Sequence, residues 1–194
     1  YSEASRVTTQ GYTLMRPLIF DFHDDTDALK QDNEYMFGQS LLICPVTEKG
    51  VSVKKVYLPE NEGGWYDFRT DRRYDGGCFA EVPVNIEYIP VFVKAGSIVP
   101  SGPVKQYVTE ASDDPMTLSI YPGAAADSRP SEDAGTNQES SNIDITWDDS
   151  QRKLIIGKRR GCFEGMKEER IFKATVAGQE KSIRYDGSKI TVRF

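Results

Sequence analysis

The sequence predicts a mainly β fold in two consecutive antiparallel blocks, with a helix end and one strand of different character ahead of them. Three observations carry this expectation. Short runs rich in β-branched and aromatic residues recur along most of the chain. The 16 glycines and 10 prolines among 194 residues cut those runs into strand-length pieces. Residues 13–20, TLMRPLIF, form an apolar run broken only by Arg16, the pattern of a strand covered on both faces in a parallel sheet. Such a strand needs neighbours supplied by crossover units of about 30 residues each. Only a helix end precedes it, so it is expected to be one piece of a larger sheet.

Residues 1–10 are polar and helix-compatible, and Gly11 stops that pattern as a C-terminal cap does. Asp24, Asp25 and Asp27 ahead of Ala28 and Leu29 form an N-cap-rich entry to a short helix, which Gly38 is expected to close after Tyr35, Met36 and Phe37. Strands are then expected at 41–46, 51–58, 65–68, 82–86 and 89–99. Pro45, Pro59, Pro83, Pro90 and Pro100 each lack a ladder donor, which places them at strand ends, edges or bulges. Residues 101–115 read as a linker. The second block is expected at 116–121, 143–147, 153–156, 172–176, 181–185 and 189–194. Within it, residues 148–151 join two alternating strands, and Asp186 with Gly187 has the chemistry of a tight hairpin turn. Residues 124–141 carry no strong apolar anchor and are expected to form a mobile loop. No internal repeat emerges at a fixed period.

Twenty-four basic against thirty acidic residues give a formal net charge of −6, which leaves no broad basic face for phosphates; neither nucleic acid nor membrane is an expected partner. Apolar runs such as 41–44 fall far below the roughly 18 residues needed to cross a bilayer, and no secretory leader pattern opens the chain. Cys44, Cys78 and Cys162 show no CxxC spacing and are expected to be idle thiols. With His23 as the single histidine, most metal and triad chemistry falls away. The acid pairs Asp24 with Asp25, Asp113 with Asp114, and Asp148 with Asp149 fit caps and turns better than a catalytic pair, which needs two carboxyls converging from different elements. Gly63, Gly64, Trp65 and Tyr66 could form a sugar-stacking platform, though an aromatic after a glycine turn is more often core. Lys158, Arg159 and Arg160 read as a solvated loop. Glu132 and Asp133 lack calcium-loop spacing. Composition and spacing assign no catalytic residue, no substrate-binding residue, no metal and no cofactor.

Longer motifs add a resemblance. The segment GYTLMRPLIFDF at 11–22 resembles the last barrel strand of glycoside hydrolase family 31, the family of α-glucosidases and α-xylosidases. DNEYMFG at 32–38 is similar to its "DQYMFG", SLLICPV at 40–46 to its "LLVAPV", and VYLP at 56–59 with WYDF at 65–68 to its "VYLP…WYDF". IPVFVKAGSIVP at 89–100 is similar to "IPVFVRAGSIIP". Residues 143–149 and 157–166 resemble the distal β-domain of the same proteins. The resemblance implies that residues 1–38 are the tail of a (β/α)8 barrel, the last strand and a short helix. Residues 39–103 would then be a proximal, and residues 104–194 a distal, β-sandwich. It implies a parent protein that hydrolyses terminal α-linked xylose or glucose with retention, through two aspartates on earlier barrel strands whose motifs do not occur here. The expected partners are the catalytic barrel of the same polypeptide and, through it, an oligosaccharide. The family's active-site histidine also lies upstream, so His23 receives no role. Where the family has a Tyr-Glu-Asp-Asp/Glu-Gly turn, this chain has SEDAG at 131–135. A carbohydrate-binding module, with Trp65, Tyr66 or Trp147 stacking on sugar, is the alternative. Arg16, alone in its apolar run, is expected to be paired, because an isolated buried charge is costly.

Overall fold

The computed structural model describes residues 2–107, 110, 112, 114–133 and 139–194. They divide into two compact units, one spanning Arg6–Ala95 and the other residues 2–5 with Gly96–Phe194. The fold is mainly β, in several sheets that are antiparallel almost throughout. Helix α1 covers Ser2–Gln10, and Gly11 at φ 64° ends it with the left-handed residue expected there.

The first unit holds β1 (Met15–Pro17), β2 (Tyr35–Phe37), β3 (Leu41–Ile43), β4 (Val53–Leu58), β5 (Trp65–Asp67), β6 (Arg73–Tyr74), β7 (Cys78–Pro83) and β8 (Val91–Lys94). Six of these form a sheet in the order β1-β2-β3-β8-β5-β6, and β4 pairs with β7 in a separate ribbon. Both contribute to one core built on Leu18, Met36, Leu42, Val56, Leu58, Trp65, Val82 and Phe92. Pro83 closes β7, so its missing donor falls at a strand end as expected.

Two readings of this unit are corrected. The run at 13–20 is not a long strand covered on both faces: β1 has three residues and pairs antiparallel with β2, and Pro17 (φ −55°, ψ 151°) leads into a 3-10 turn at Leu18–Phe20. Its burial is inverted, with Arg16 6% exposed while Met15, Ile19 and Phe20 are 53–64% exposed. Tyr35, Met36 and Phe37 form β2 rather than the end of a helix. The helix after the aspartates is a single 3-10 turn, Ala28–Lys30, and Met36, buried between exposed-side neighbours, shows period two.

The second unit holds β9 (Ser97–Ser101), β10 (Met116–Tyr121), β11 (Ala126–Ser128), β12 (Ser131–Asp133), β13 (Ser140–Asn142), β14 (Ile145–Asp148), β15 (Lys153–Ile156), β16 (Arg170–Val176), β17 (Gln179–Tyr185) and β18 (Ile190–Arg193). Two four-stranded sheets, β17-β16-β10-β9 and β11-β14-β15-β18, share one core. In it Leu118, Phe172, Ala174 and Tyr185 of the first sheet join Ile145, Trp147, Leu154 and Ile156 of the second. The β10 and β16 pair is parallel. Pro100 lies in β9, which is an edge strand.

Turn chemistry was legible at one hairpin and misleading at another. Asp148 Oδ1 accepts from Gln151 N at 3.0 Å and closes the β14–β15 turn. Asp186 and Gly187 join no hairpin: β17 pairs with β16, whereas β18 pairs with β15 in the other sheet. Gly187 (φ 98°) turns the chain between sheets. The hairpin lies one connection earlier, at Ala177 (φ 46°) and Gly178 (φ 79°) between Val176 and Gln179. Left-handed backbone at two central residues is the type I′ turn, for which alanine is a poor choice. Ala177→Asn is therefore expected to stabilise the chain by about 0.5–1 kcal/mol, read as a higher urea midpoint at unchanged slope; a lower midpoint would show that Ala177 is better suited to the turn.

Residues 124–141 were expected to be a mobile loop, and the described part is tied down. Ala126 is 8% exposed, Ser131 8% and Ser141 3%. Glu132 holds the Arg170 guanidinium through both carboxyl oxygens at 2.6 and 2.5 Å, and Ser131 N donates to Ser2 Oγ at 3.0 Å. Polar anchors replace the apolar ones the sequence lacks. Residues 134–138 of that loop, and 108, 109, 111 and 113 of the expected linker, lie outside the described residues.

Candidate functional site

An open groove in the first unit is lined by Asp21, Phe22, His23, Asp25, Tyr57 and Glu60, with Asp24, Thr26, Asp27 and Gly77 completing it. The loop at 21–27 links two 3-10 turns, and its shape follows from its aspartates. Asp25 Oδ1 accepts from Asp27 N at 3.1 Å and Ala28 N at 3.0 Å, so the capping role expected of this cluster falls to Asp25. The same carboxylate receives the Tyr57 hydroxyl at 2.9 Å and Glu60 N at 3.2 Å. Burial opposes its ionisation, yet the donors from Ala28, Glu60, Tyr57 and Asp27 outweigh this and hold Asp25 below the ordinary carboxylate range. Burial and the Asp25 carboxylate push the Tyr57 phenol well up. Both shifts move these groups away from neutrality.

The other aspartates of the groove are engaged as well. Asp21 Oδ2 receives Arg16 Nε at 3.0 Å and Nη2 at 2.7 Å. Arg16 also donates to the Tyr12 hydroxyl, to Thr13 O at 2.8 Å and to Gly38 O at 3.1 Å, so the pairing expected of it is observed. Lys30 bridges Asp27 at 2.8 Å, and His23 meets Asp24 at 3.2 Å. Gly77 sits at φ 69°, a left-handed backbone that strains any other residue there. The arrangement is a braced loop rather than an acid and base pair: retaining hydrolysis needs two free carboxyls about 5–5.5 Å apart, and Asp25 is saturated with donors. Among the described residues no group of three or more His, Cys, Asp and Glu side chains is arranged to hold a metal ion.

Behind the groove, Glu34 is 4% exposed. Its two carboxyl oxygens share one donor, Tyr57 N, at 3.0 and 3.3 Å. Burial, only partly offset by Tyr57 N and the field of Lys54, raises it to about 7. Tyr57 is thus held at both ends, its backbone by Glu34 and its hydroxyl by Asp25. Sequence reasoning singled out neither Tyr57 nor Glu34 as part of a site; Glu34 ends the polar stretch QDNE just ahead of β2, where nothing in the pattern marks it as buried.

Of the aromatic platform, Tyr66 is half-buried and both tryptophans are buried. Trp65 is fully buried, with Nε1 donating to Pro59 O at 2.8 Å. Trp147 is 2% exposed, with Nε1 donating to Asp149 Oδ1 at 2.8 Å. Asp149 thereby serves a tryptophan and, at 3.1 Å, Gly123 N, while Asp148 caps its turn. Of the third acid pair, Asp113 lies outside the described residues. Lys158, Arg159 and Arg160 are not a uniformly solvated loop: the Arg159 guanidinium lies 5.4 Å from the Tyr185 ring centre with Nε and Nη2 buried, and Arg160 pairs with Asp144. Cys44 is buried, Cys78 half-buried and Cys162 exposed, all three as free thiols.

The groove holds no free acid pair and the chain around it is mainly β; the comparisons give the family. Residues 11–99 match the model of the glycosyl hydrolase family 31 C-terminal domain. An α-xylosidase of Saccharolobus solfataricus is 36% identical across 100% of this chain, which spans 27% of that protein. Neutral α-glucosidase C of Homo sapiens is 40% identical over 45% of this chain and 10% of its own length. The crystal structure of a family 31 α-xylosidase from Xanthomonas citri superposes with a TM-score of 0.92 at 34% identity, over 100% of this chain and 23% of that one. The chain belongs to glycoside hydrolase family 31, as its C-terminal region. It spans about a quarter of the length of the two α-xylosidases.

Proposed function

We propose that this chain is the C-terminal β-region of a retaining α-glycosidase that removes terminal α-linked xylose or glucose from oligosaccharides, and that it acts as a scaffold without catalytic residues of its own. The observation that supports this best is the end-to-end likeness to α-xylosidases combined with a chain that covers only about a quarter of them. In this reading residues 1–38 are the tail of the barrel, a last strand and short helix, although β1 is antiparallel and joins the sheet of the next domain through β2; residues 39–103 are a proximal sandwich and residues 104–194 a distal one. The catalytic barrel of the same polypeptide would cover the exposed Met15, Ile19 and Phe20, since apolar surface gathered beside a sheet edge calls for a partner. The braced loop at 21–27 would then shape the barrel mouth, its aspartates fixing backbone rather than attacking sugar.

Incubated with aryl α-xyloside and aryl α-glucoside, the 194-residue chain is expected to release no phenol, whereas the parent protein releases it from one of them. Turnover by the chain alone, abolished by a point change within it, would overturn the scaffold reading. The binding-module alternative has little support from tryptophans that are buried and hydrogen-bonded. Titration with malto- or xyloglucan oligosaccharides is expected to leave tryptophan fluorescence unchanged, and a saturable change would restore that alternative.

A further inference from the structure

We propose that Glu34 is a pH-responsive latch of the first unit, protonated in the core under acid conditions and charged when the unit opens around it, so that raising the pH from acid to neutral loosens the Tyr57 anchor behind the groove. The geometry sets Glu34 apart from the acids of the groove. Asp25 collects donors from Asp27, Ala28, Tyr57 and Glu60; Glu34, 4% exposed, has Tyr57 N alone among the described residues. A carboxylate with one donor is poorly solvated by the protein, and burying a charge in that state is costly unless it is paired.

The groups facing it do not supply the missing charge. Lys54, three residues before Tyr57 on β4, acts through its field, and among the described residues it makes no ion pair with Glu34. Cys44, just past β3, is buried, which together with Glu34 pushes its thiol up and keeps it neutral. Tyr57 offers its backbone N–H to Glu34 and its hydroxyl to Asp25, so a change at Glu34 reaches the 21–27 loop through one residue.

The sign follows from which form the fold prefers. The folded unit binds the Glu34 proton more tightly than the unfolded chain does, rising from about 4.5 to about 7. Its stability is therefore complete below about pH 4.5, falls as pH climbs through the folded value, and is level above it. The proton leaves to solvent, and no other group in the pocket takes it. The proposal stands whichever sugar the parent protein accepts.

The test is urea unfolding of the 194-residue chain from pH 5 to 8.5, followed by Trp65 in a Trp147→Phe background, with and without Glu34→Gln. The unfolding constant of the first unit is expected to rise about tenfold per pH unit along its steepest stretch, the slope of one proton. Glu34→Gln, which keeps shape and an acceptor oxygen, is expected to remove that slope. At pH 8 the Tyr57 amide should exchange more slowly in Glu34→Gln than in the unsubstituted chain, and at pH 5 no more slowly. An identical slope in both proteins overturns the proposal. Should the variant fail to fold, carboxyl carbon-13 NMR of the unsubstituted chain decides it: a Glu34 midpoint near 7 supports the latch, and one near 4.5 sinks it.

Discussion

Truncating Trp65 to alanine is expected to destabilise the first unit by about 3–5 kcal/mol, the cost of removing a large aromatic side chain from a core. Trp65 has no exposed surface, packs at 6.1 Å from Phe22 and stands opposite Tyr74 and Lys94 on the strands at either side. Its Nε1 hydrogen bond to Pro59 O adds a second loss: without it a buried carbonyl goes unpaired, for roughly 1–3 kcal/mol. Trp65→Phe keeps part of the volume but abandons Pro59, so it should cost less than alanine and clearly more than nothing. Since a whole domain is stable by about 5–15 kcal/mol, the alanine variant should be largely unfolded well below the urea midpoint of its parent. A loss under about 1 kcal/mol for alanine would show that the ring is not the core residue its burial implies. The same pair of variants separates packing from sugar recognition, because a stacking tryptophan would lose affinity and keep stability.

How much of this was legible in the sequence can be argued residue by residue. Strands 116–121 and 153–156 fall where β-rich runs bounded by turn residues put them. Residues 13–20 misled because periodicity reports that a side chain is apolar, and the structure leaves Met15, Ile19 and Phe20 in the open. Tyr35, Met36 and Phe37 misled because three residues carry too little period to tell strand from helix. The Asp186 and Gly187 turn has the local chemistry of a hairpin, but which strand a turn leads to is a tertiary matter, decided by the β15–β18 pairing. Ala177 in a left-handed conformation has no sequence signal at all; the long β16–β17 ladder imposes it. The groove was half legible: the capping aspartates were visible, whereas Tyr57 and Glu34 lie 23 residues apart and meet only through the fold.

Replacing Asp21 by alanine is expected to cost about 3 kcal/mol, and the reason lies with the cation it leaves behind. The Arg16 side chain is 7% exposed and that of Asp21 33%, so losing the acid strands a charge that water barely reaches, for which breaking a buried pair typically costs about 3–5 kcal/mol. The Tyr12 hydroxyl, Thr13 O and Gly38 O still accept from the guanidinium, and the Tyr12 ring lies 4.6 Å beneath it, which places the loss at the lower end. Asp21→Asn retains one acceptor oxygen without its charge and should lose about half as much, in line with charge-assisted bonds being roughly twice as strong as neutral ones. Because Arg16 is shielded while a third of the Asp21 side chain meets solvent, 1 M salt should reduce the difference between parent and variant only in part. An alanine variant within about 0.5 kcal/mol of its parent, or a difference that vanishes in salt, would mean that Arg16 is held by its backbone carbonyls and ring alone. The order alanine below asparagine below parent, only partly reduced by salt, would show that the one charge in an apolar run is fixed by the acid five residues on, and that the 3-10 turn between them is what brings the two together.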